Sequence, residues 1–349
     1  MADVKVILAS TRPFVGGGAS QIVEWLAVKL RSHHHQVEVL EFPFSFHYEE
    51  ILEQMLAFRL LDLSQYGDRL IAVRTPSYLL QHPHKTVWFI HHYRSAYDLW
   101  RTQYCDIPKT PEGLRYRSAI MSADNAALRE ATRVFANSQV VTDRLKRFNG
   151  IDAEVLYPPL LDPESFHCAG FGDYLLYISR LTHHKRQLLA IEALLHTCTP
   201  VRLMIIGRPD PGAEAYADEL SALVAKHRMD DRVVVAPHWI SEKEKIALFA
   251  DCLAAIYIPL DEDSYGYPTL EAYQSGKAVI TAADSGGTGE LIVDGINGLV
   301  TPAEPKAIAR AMDQLYLDRD LARRMGEAGR NRIGELGITW DRVIERLLA

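Results

Sequence analysis

Arg180 and Lys185 stand five positions apart in Ser179-Arg180-Leu181-Thr182-His183-His184-Lys185, between an apolar run and a helical stretch. Arginine offers a planar fork to phosphate oxygens and lysine a compact point charge, so together they suit a diphosphate. Negative charge that grows on a departing group needs such neutralisation. A solvated surface pair would carry the same pattern. The longer stretch Asp261-Glu262-Asp263-Ser264-Tyr265-Gly266-Tyr267-Pro268-Thr269-Leu270-Glu271 also follows an apolar run. Gly266 permits a tight turn, and Pro268 suits the first turn of a helix that runs through Glu271 to a stop at Gly276. Asp263 then lies in a loop and Glu271 in the helix. Each carboxylate can accept from vicinal hydroxyls, and amides at the helix start can meet phosphates between them. Asp261-x-Asp263 is a short acid pair of a kind that can hold a metal, but the loop–helix context with Glu271 suits a metal-free reading better.

Two further groups lie in the N-terminal half. Gly16-Gly17-Gly18 separates the first apolar run from the first helical stretch, where glycines let a backbone approach a ligand. A dinucleotide fingerprint would need a third glycine where Gln21 stands, although Glu41 sits where a ribose-binding acid is expected. NAD binding, a plain flexible turn and the approach of a phosphate or sugar all remain open there. The run Thr86–Ile90 ends in His91-His92-Tyr93-Arg94. A histidine at that end of a parallel strand can bond to a hydroxyl or carbonyl near neutral pH, or simply sit solvated at the core edge.

These residues need elements to hold them. Val4–Ala9, Gln36–Leu40, Leu70–Val73, Thr86–Ile90, Val134–Ala136 and Glu154–Leu156 read as strands, with Ala19–Leu30 a helix. Tyr157-Pro158-Pro159-Leu160 and the polar stretch to Gly172 break the pattern. Alternation then restarts with strands at Tyr174–Ile178, Val201–Ile206, Arg232–Ala236, Leu253–Ile258, Ala278–Thr281 and Leu299–Val300. Helices fall at Arg186–His196 and Ala213–Lys226, and a Ser241/Glu244 capping box opens another to Ala250. Two such arrays imply two doubly wound α/β domains, whose ligands lie beyond the carboxyl ends of the strands.

The 349 residues allow about two domains, and 48% hydrophobic with 24% charged residues is globular. A net charge of −7 recruits neither nucleic acid nor an anionic membrane in bulk. Cys105, Cys168, Cys198 and Cys252 form no close cluster and read as reduced, mostly buried residues. The many histidines read as surface or loop residues. The start has no long apolar segment, so a soluble, cytoplasmic protein is expected. Arg94, Arg101, Arg115, Arg117, Arg129 and Arg133 suggest either a solvated helical face or peripheral contact with the inner membrane face.

Taken together, ISRLTHHK, DSYGYPTLEAYQSGKAVI, SGGTGELIVDGINGLV and the tail from Trp340 resemble the family-four retaining glycosyltransferases of the GT-B fold, over essentially the whole chain. The resemblance implies two facing Rossmann-like domains: residues 1–160 on the acceptor side, residues 161–335 for the nucleotide sugar, and residues 336–349 as a helix returning to the first domain. It implies metal-independent transfer to a glycan, lipid-linked glycan or small-molecule hydroxyl, with no cofactor. Arg180 and Lys185 would bind the donor diphosphate, Glu271 the ribose and Asp263 the donor sugar. His91 would bond a sugar hydroxyl. Gly16, Gly17 and Gly18 would approach the phosphates, Trp239 or Ile240 the base, and Tyr265, Gly266, Tyr267, Pro268 and Thr269 would line the donor. The family usually has glutamate where Asp263 stands. A closer loop, Glu262 in the adjacent register, or a different donor sugar would each accommodate that change. An NAD-dependent oxidoreductase and a catalytically silent nucleotide-sugar-binding subunit are the competing readings, and oligomeric state is left open.

Overall fold

Side chains between Lys5 and Arg12 are all buried, as expected of a central parallel strand covered on both faces. This strand belongs to a computed structural model that describes residues 3–12, 18–210, 212–262 and 264–349. The chain divides into two units, Met1–Pro159 with Ile338–Ala349, and Leu160–Gly337.

The first unit alternates β1 (Lys5–Arg12), α1 (Gly18–Ser32), β2 (Gln36–Pro43), α2 (Tyr48–Leu60), β3 (Arg69–Ala72), β4 (Lys85–Phe89), α3 (Pro111–Arg129), β5 (Arg133–Ala136), α4 (Gln139–Asn149) and β6 (Glu154–Val155). Its sheet is parallel, in the order β2-β1-β3-β4-β5-β6. The second unit runs β7 (Tyr174–Ile178), α5 (Gln187–Leu194), β8 (Arg202–Ile206), α6 (Glu214–Lys226), β9 (Val233–Ala236), α7 (Glu242–Asp251), β10 (Ala254–Ile256), α8 (Tyr267–Gln274), β11 (Ala278–Ala282), β12 (Gly298–Thr301), α9 (Pro305–Leu317) and α10 (Arg319–Glu335). Its parallel order is β12-β11-β10-β7-β8-β9. The last helix, α11 (Trp340–Leu348), buries Trp340, Val343, Ile344 and Leu347 in the core formed by α1 and one face of the first sheet.

Caps set several boundaries. Ser138 accepts from Val141 N to start α4, and Gly150, in the left-handed region, ends it. The capping box expected at Ser241 and Glu244 is present. Sequence periodicity marks neither α2 nor α3, and burial shows why. In α2 only Ile51, Met55 and Phe58 are buried. In α3 the inward face carries Asp124, which accepts from Tyr78 at 2.8 Å and Tyr97 at 2.6 Å, so an apolar stripe is interrupted.

Some expectations are corrected. Cys168 and Cys198 are exposed and Cys105 half-buried, leaving Cys252 as the buried thiol. Neighbouring segments pack only part of each loop, and cysteine type alone does not report that. His35 is buried rather than superficial. The arginine-rich stretch is not simply solvated. Arg94 pairs with Asp98 at 2.6 Å, while Arg117 donates to Ala96 O at 2.8 Å and Arg129 to Asn149 O at 3.2 Å. No helix among the described residues is long and apolar enough to cross a membrane.

Candidate functional site

In the second sheet the strand order reverses between β7 and β10, which lie side by side although β8 and β9 intervene in sequence. Loops leaving the carboxyl ends of such neighbours diverge and open a crevice. The two motifs carrying Arg180–Lys185 and Asp261–Glu271 leave those two strands.

After β7 the chain comes close to the end of β8. A Cβ on Gly207 would lie 1.7 Å from Ser179 O, so only glycine admits this approach. Arg180 is exposed and donates to both Asp210 oxygens, at 2.8 and 3.0 Å. Lys185 turns inward and is 5% exposed. Its ammonium donates to Tyr257 Oη at 2.9 Å and pairs with the Glu262 carboxylate, which also accepts from Tyr257 at 3.2 Å. Tyr177 Oη donates to Lys185 O from below. Arg186, at a φ of 56°, then ties the crevice walls together. It donates to Ile258 O and Pro259 O, each at 2.7 Å, and forks onto Asp284 at 2.8 and 2.7 Å.

Burial alone would raise the Glu262 carboxyl, but the Lys185 charge and hydrogen bond, helped by His184 and Arg180, bring it down to about 2. Burial and the neighbouring Lys185 push His184 down to about 4, so its imidazole is neutral at physiological pH. Because the folded value of Glu262 lies below the ordinary 4.5, its contribution is complete above that pH and fades as pH falls through about 2. The pair then contributes stability that is lost in acid. Urea titrations from neutral pH down to acid should show that loss in the native chain and a flatter profile in Glu262→Gln. Equal slopes would refute the charge assignment.

Gly266, at a φ of 72°, precedes α8, and a Cβ there would lie 2.3 Å from the Tyr257 ring. Pro268 occupies the first turn. The helix start has fewer amides to offer than expected, since Pro268 has none and Thr269 N is taken by Gly266 O at 3.1 Å. Glu271 is 3% exposed and accepts at 2.5 Å from Lys245 Nζ, a residue of α7 that sequence spacing did not single out. Burial raises the Glu271 carboxyl, and Lys245 opposes that rise.

The remaining predicted residues separate. Tyr265 and Thr269 are buried, and Tyr267, Pro268 and Ile240 are half-buried. Trp239 is 74% exposed beyond β9. His91 lies in the first unit at the end of β4, half-buried, with Nδ1 2.8 Å from His92 O and Thr75 Oγ1 donating to its own carbonyl at 3.1 Å. Its neighbour His92 is buried against Asn149, and burial lowers it to about 4. Gly18 opens α1. Gly16, Gly17 and Asp263 lie outside the described residues. Among the described residues, no three His, Cys, Asp or Glu side chains gather as a metal would need.

Two doubly wound parallel units with a cation–carboxylate crevice at the switch point of the second make this a chain of the GT-B fold. Anabaena HepE, solved in complex with UDP and glucose, matches that fold with a TM-score of 0.70 over 99% of both chains at 18% identity. The model of the family described as Glycosyl transferases group 1 matches residues 171–332, which lie within the second unit. Human alpha-1,3/1,6-mannosyltransferase ALG2 is 29% identical over 63% of this chain and 58% of its own length. Alpha-maltose-1-phosphate synthase of Mycolicibacterium smegmatis is 28% identical over 57% of this chain and 54% of its own. The chain thus spans somewhat over half the length of these curated relatives. The oxidoreductase reading has no use for Arg180, Lys185 or Glu271, all of which lie in the matched segment.

Proposed function

We propose that the chain transfers a sugar from a nucleoside-diphosphate sugar to an acceptor hydroxyl with retention of configuration, without a metal. The observation that carries this reading is the Arg180/Lys185 pair at the second unit's switch point, with the buried carboxylate of Glu271 on the adjoining helix. Arg180, exposed and held by Asp210, meets the diphosphate first. Lys185 is a buried cation paired with the Glu262 carboxylate, and a donor phosphate oxygen would take that carboxylate's place. Glu271 accepts the ribose hydroxyls, and Asp263 is the residue assigned to the donor sugar. As the glycosidic bond breaks, the two cations stabilise the departing diphosphate, whose oxygen takes the acceptor proton on the same face. The acceptor class is a glycan, a lipid-linked glycan or a small-molecule hydroxyl.

A thermal-shift panel of UDP, GDP, ADP and their sugar conjugates, with NAD and NADH as controls, tests the donor class. One nucleoside diphosphate at a hundredfold excess over its Kd should stabilise the chain by about 2.7 kcal/mol, a shift of a few degrees in Tm. NAD and NADH should leave it unmoved. No shift with any nucleoside diphosphate would sink the proposal. A shift without turnover of any conjugate would turn it toward a silent binding subunit.

A further inference from the structure

Glu271 is a carboxylate taken almost wholly out of water, and such a group tends to keep its proton. A protonated acid is a poor partner for two vicinal hydroxyls, because it gives up acceptor capacity and its hydrogen bonds are no longer charge-assisted. A cation from another helix changes that. Lys245 on α7 sets its ammonium 2.5 Å from Glu271 Oε1 and 2.9 Å from the Glu242 carboxylate, with its own side chain 14% exposed. Ser241 and Glu244 cap this helix reciprocally and so fix the turn from which Lys245 projects.

We propose that Lys245 is a positioning residue for ribose recognition, holding Glu271 charged and oriented toward the two vicinal hydroxyls of a nucleoside diphosphate. This rests on the reading of Glu271 as the ribose acceptor. Two carboxylates share the one ammonium, so the group keeps a net negative charge facing hydroxyl donors. Glu242, 56% exposed, anchors Lys245 from the solvent side and leaves Glu271 as the buried member. A bond that only joined two helices could be replaced by apolar packing of equal volume with little loss. The remaining groups around Glu271 do not supply its charge. Tyr257, beyond β10, and Tyr267, on the same helix, are phenols held neutral by burial. Arg332 of α10 acts on Tyr273. Burial works against the ammonium of Lys245 too, yet Glu271 and Glu242 raise it above the ordinary lysine range.

The test is calorimetric titration of UDP, GDP and ADP, each beside its 2′,3′-dideoxy form, in a series of buffers from mildly acid to alkaline pH, because burial raises the Glu271 carboxyl. The native chain should prefer the ribose form at every pH. Lys245→Met should lose roughly tenfold of that preference near neutrality and regain it as pH rises, because Glu271 then ionises only above its raised pKa. Lys245→Gln keeps a hydrogen-bond donor without the charge. It should show the same pH dependence and covers the case in which the methionine variant does not fold. Lys245→Arg should restore a flat profile. Glu271→Gln should lack the preference at all pH values. If Glu271→Gln keeps the preference, the ribose reading of Glu271 fails. If Glu271→Gln loses it while Lys245→Met and Lys245→Gln stay flat and native-like, that reading survives and the role of Lys245 is overturned.

Discussion

Lys185→Ala is expected to lower turnover of the nucleotide sugar by about a hundred- to a thousandfold, the cost of removing one group aimed at charge that develops in a transition state. The fall should be read as release of nucleoside diphosphate from the conjugate selected in the thermal-shift panel. Lys185 is nearly buried, so the substitution also leaves Glu262 without its cation. Breaking a buried pair from one side costs about 3 kcal/mol, so Tm should fall together with activity. Lys185→Met combined with Glu262→Gln removes both charges at similar volume and separates the two effects. It should recover most of the stability and none of the turnover. Native-like rates in either variant would remove Lys185 from the chemistry. Sequence alone gave Glu262 a minor place, as an alternative register to Asp263. Its contact with Lys185 makes it the internal counter-charge to that lysine.

The second large effect belongs to Glu271→Ala. Losing two hydrogen bonds from ribose hydroxyls to a carboxylate should weaken nucleoside diphosphate binding by about a hundredfold. Calorimetry on the refolded variant would read that directly, with circular dichroism confirming that the fold survives. The nucleotide-sugar KM should rise in parallel. A change in turnover with unaltered binding would place Glu271 on the sugar rather than the ribose. The alanine also strands the Lys245 ammonium, so a lower Tm is expected here as well.

Most strands were legible because parallel strands buried on both faces are short, uninterrupted apolar runs. Tyr174–Ile178 was read with the bounds it has in the fold. The helices α2 and α3 were not legible, because their buried faces are narrow or carry a polar group such as Asp124. Likewise, the Arg180–Lys185 loop and the Asp261–Glu271 stretch were legible as local patterns, since a strand, a glycine turn and a helix start are written within a few consecutive residues.

The amino-acid sequence by itself determined two α/β arrays and the strand-end position of the stretches that carry Arg180, Lys185 and Glu271. Only the tertiary structure decided what those groups touch. Asp210 meets Arg180 across 30 positions, Glu262 meets Lys185 across 77, and Lys245 meets Glu271 across 26. For the first two contacts the physical reason is the sheet order. Hydrogen bonding sets β10 beside β7 and β8 beside β7 on its other edge, so loops distant in the chain emerge as neighbours and their charges pair. No local propensity encodes that adjacency, and the electrostatics of the crevice follow from it.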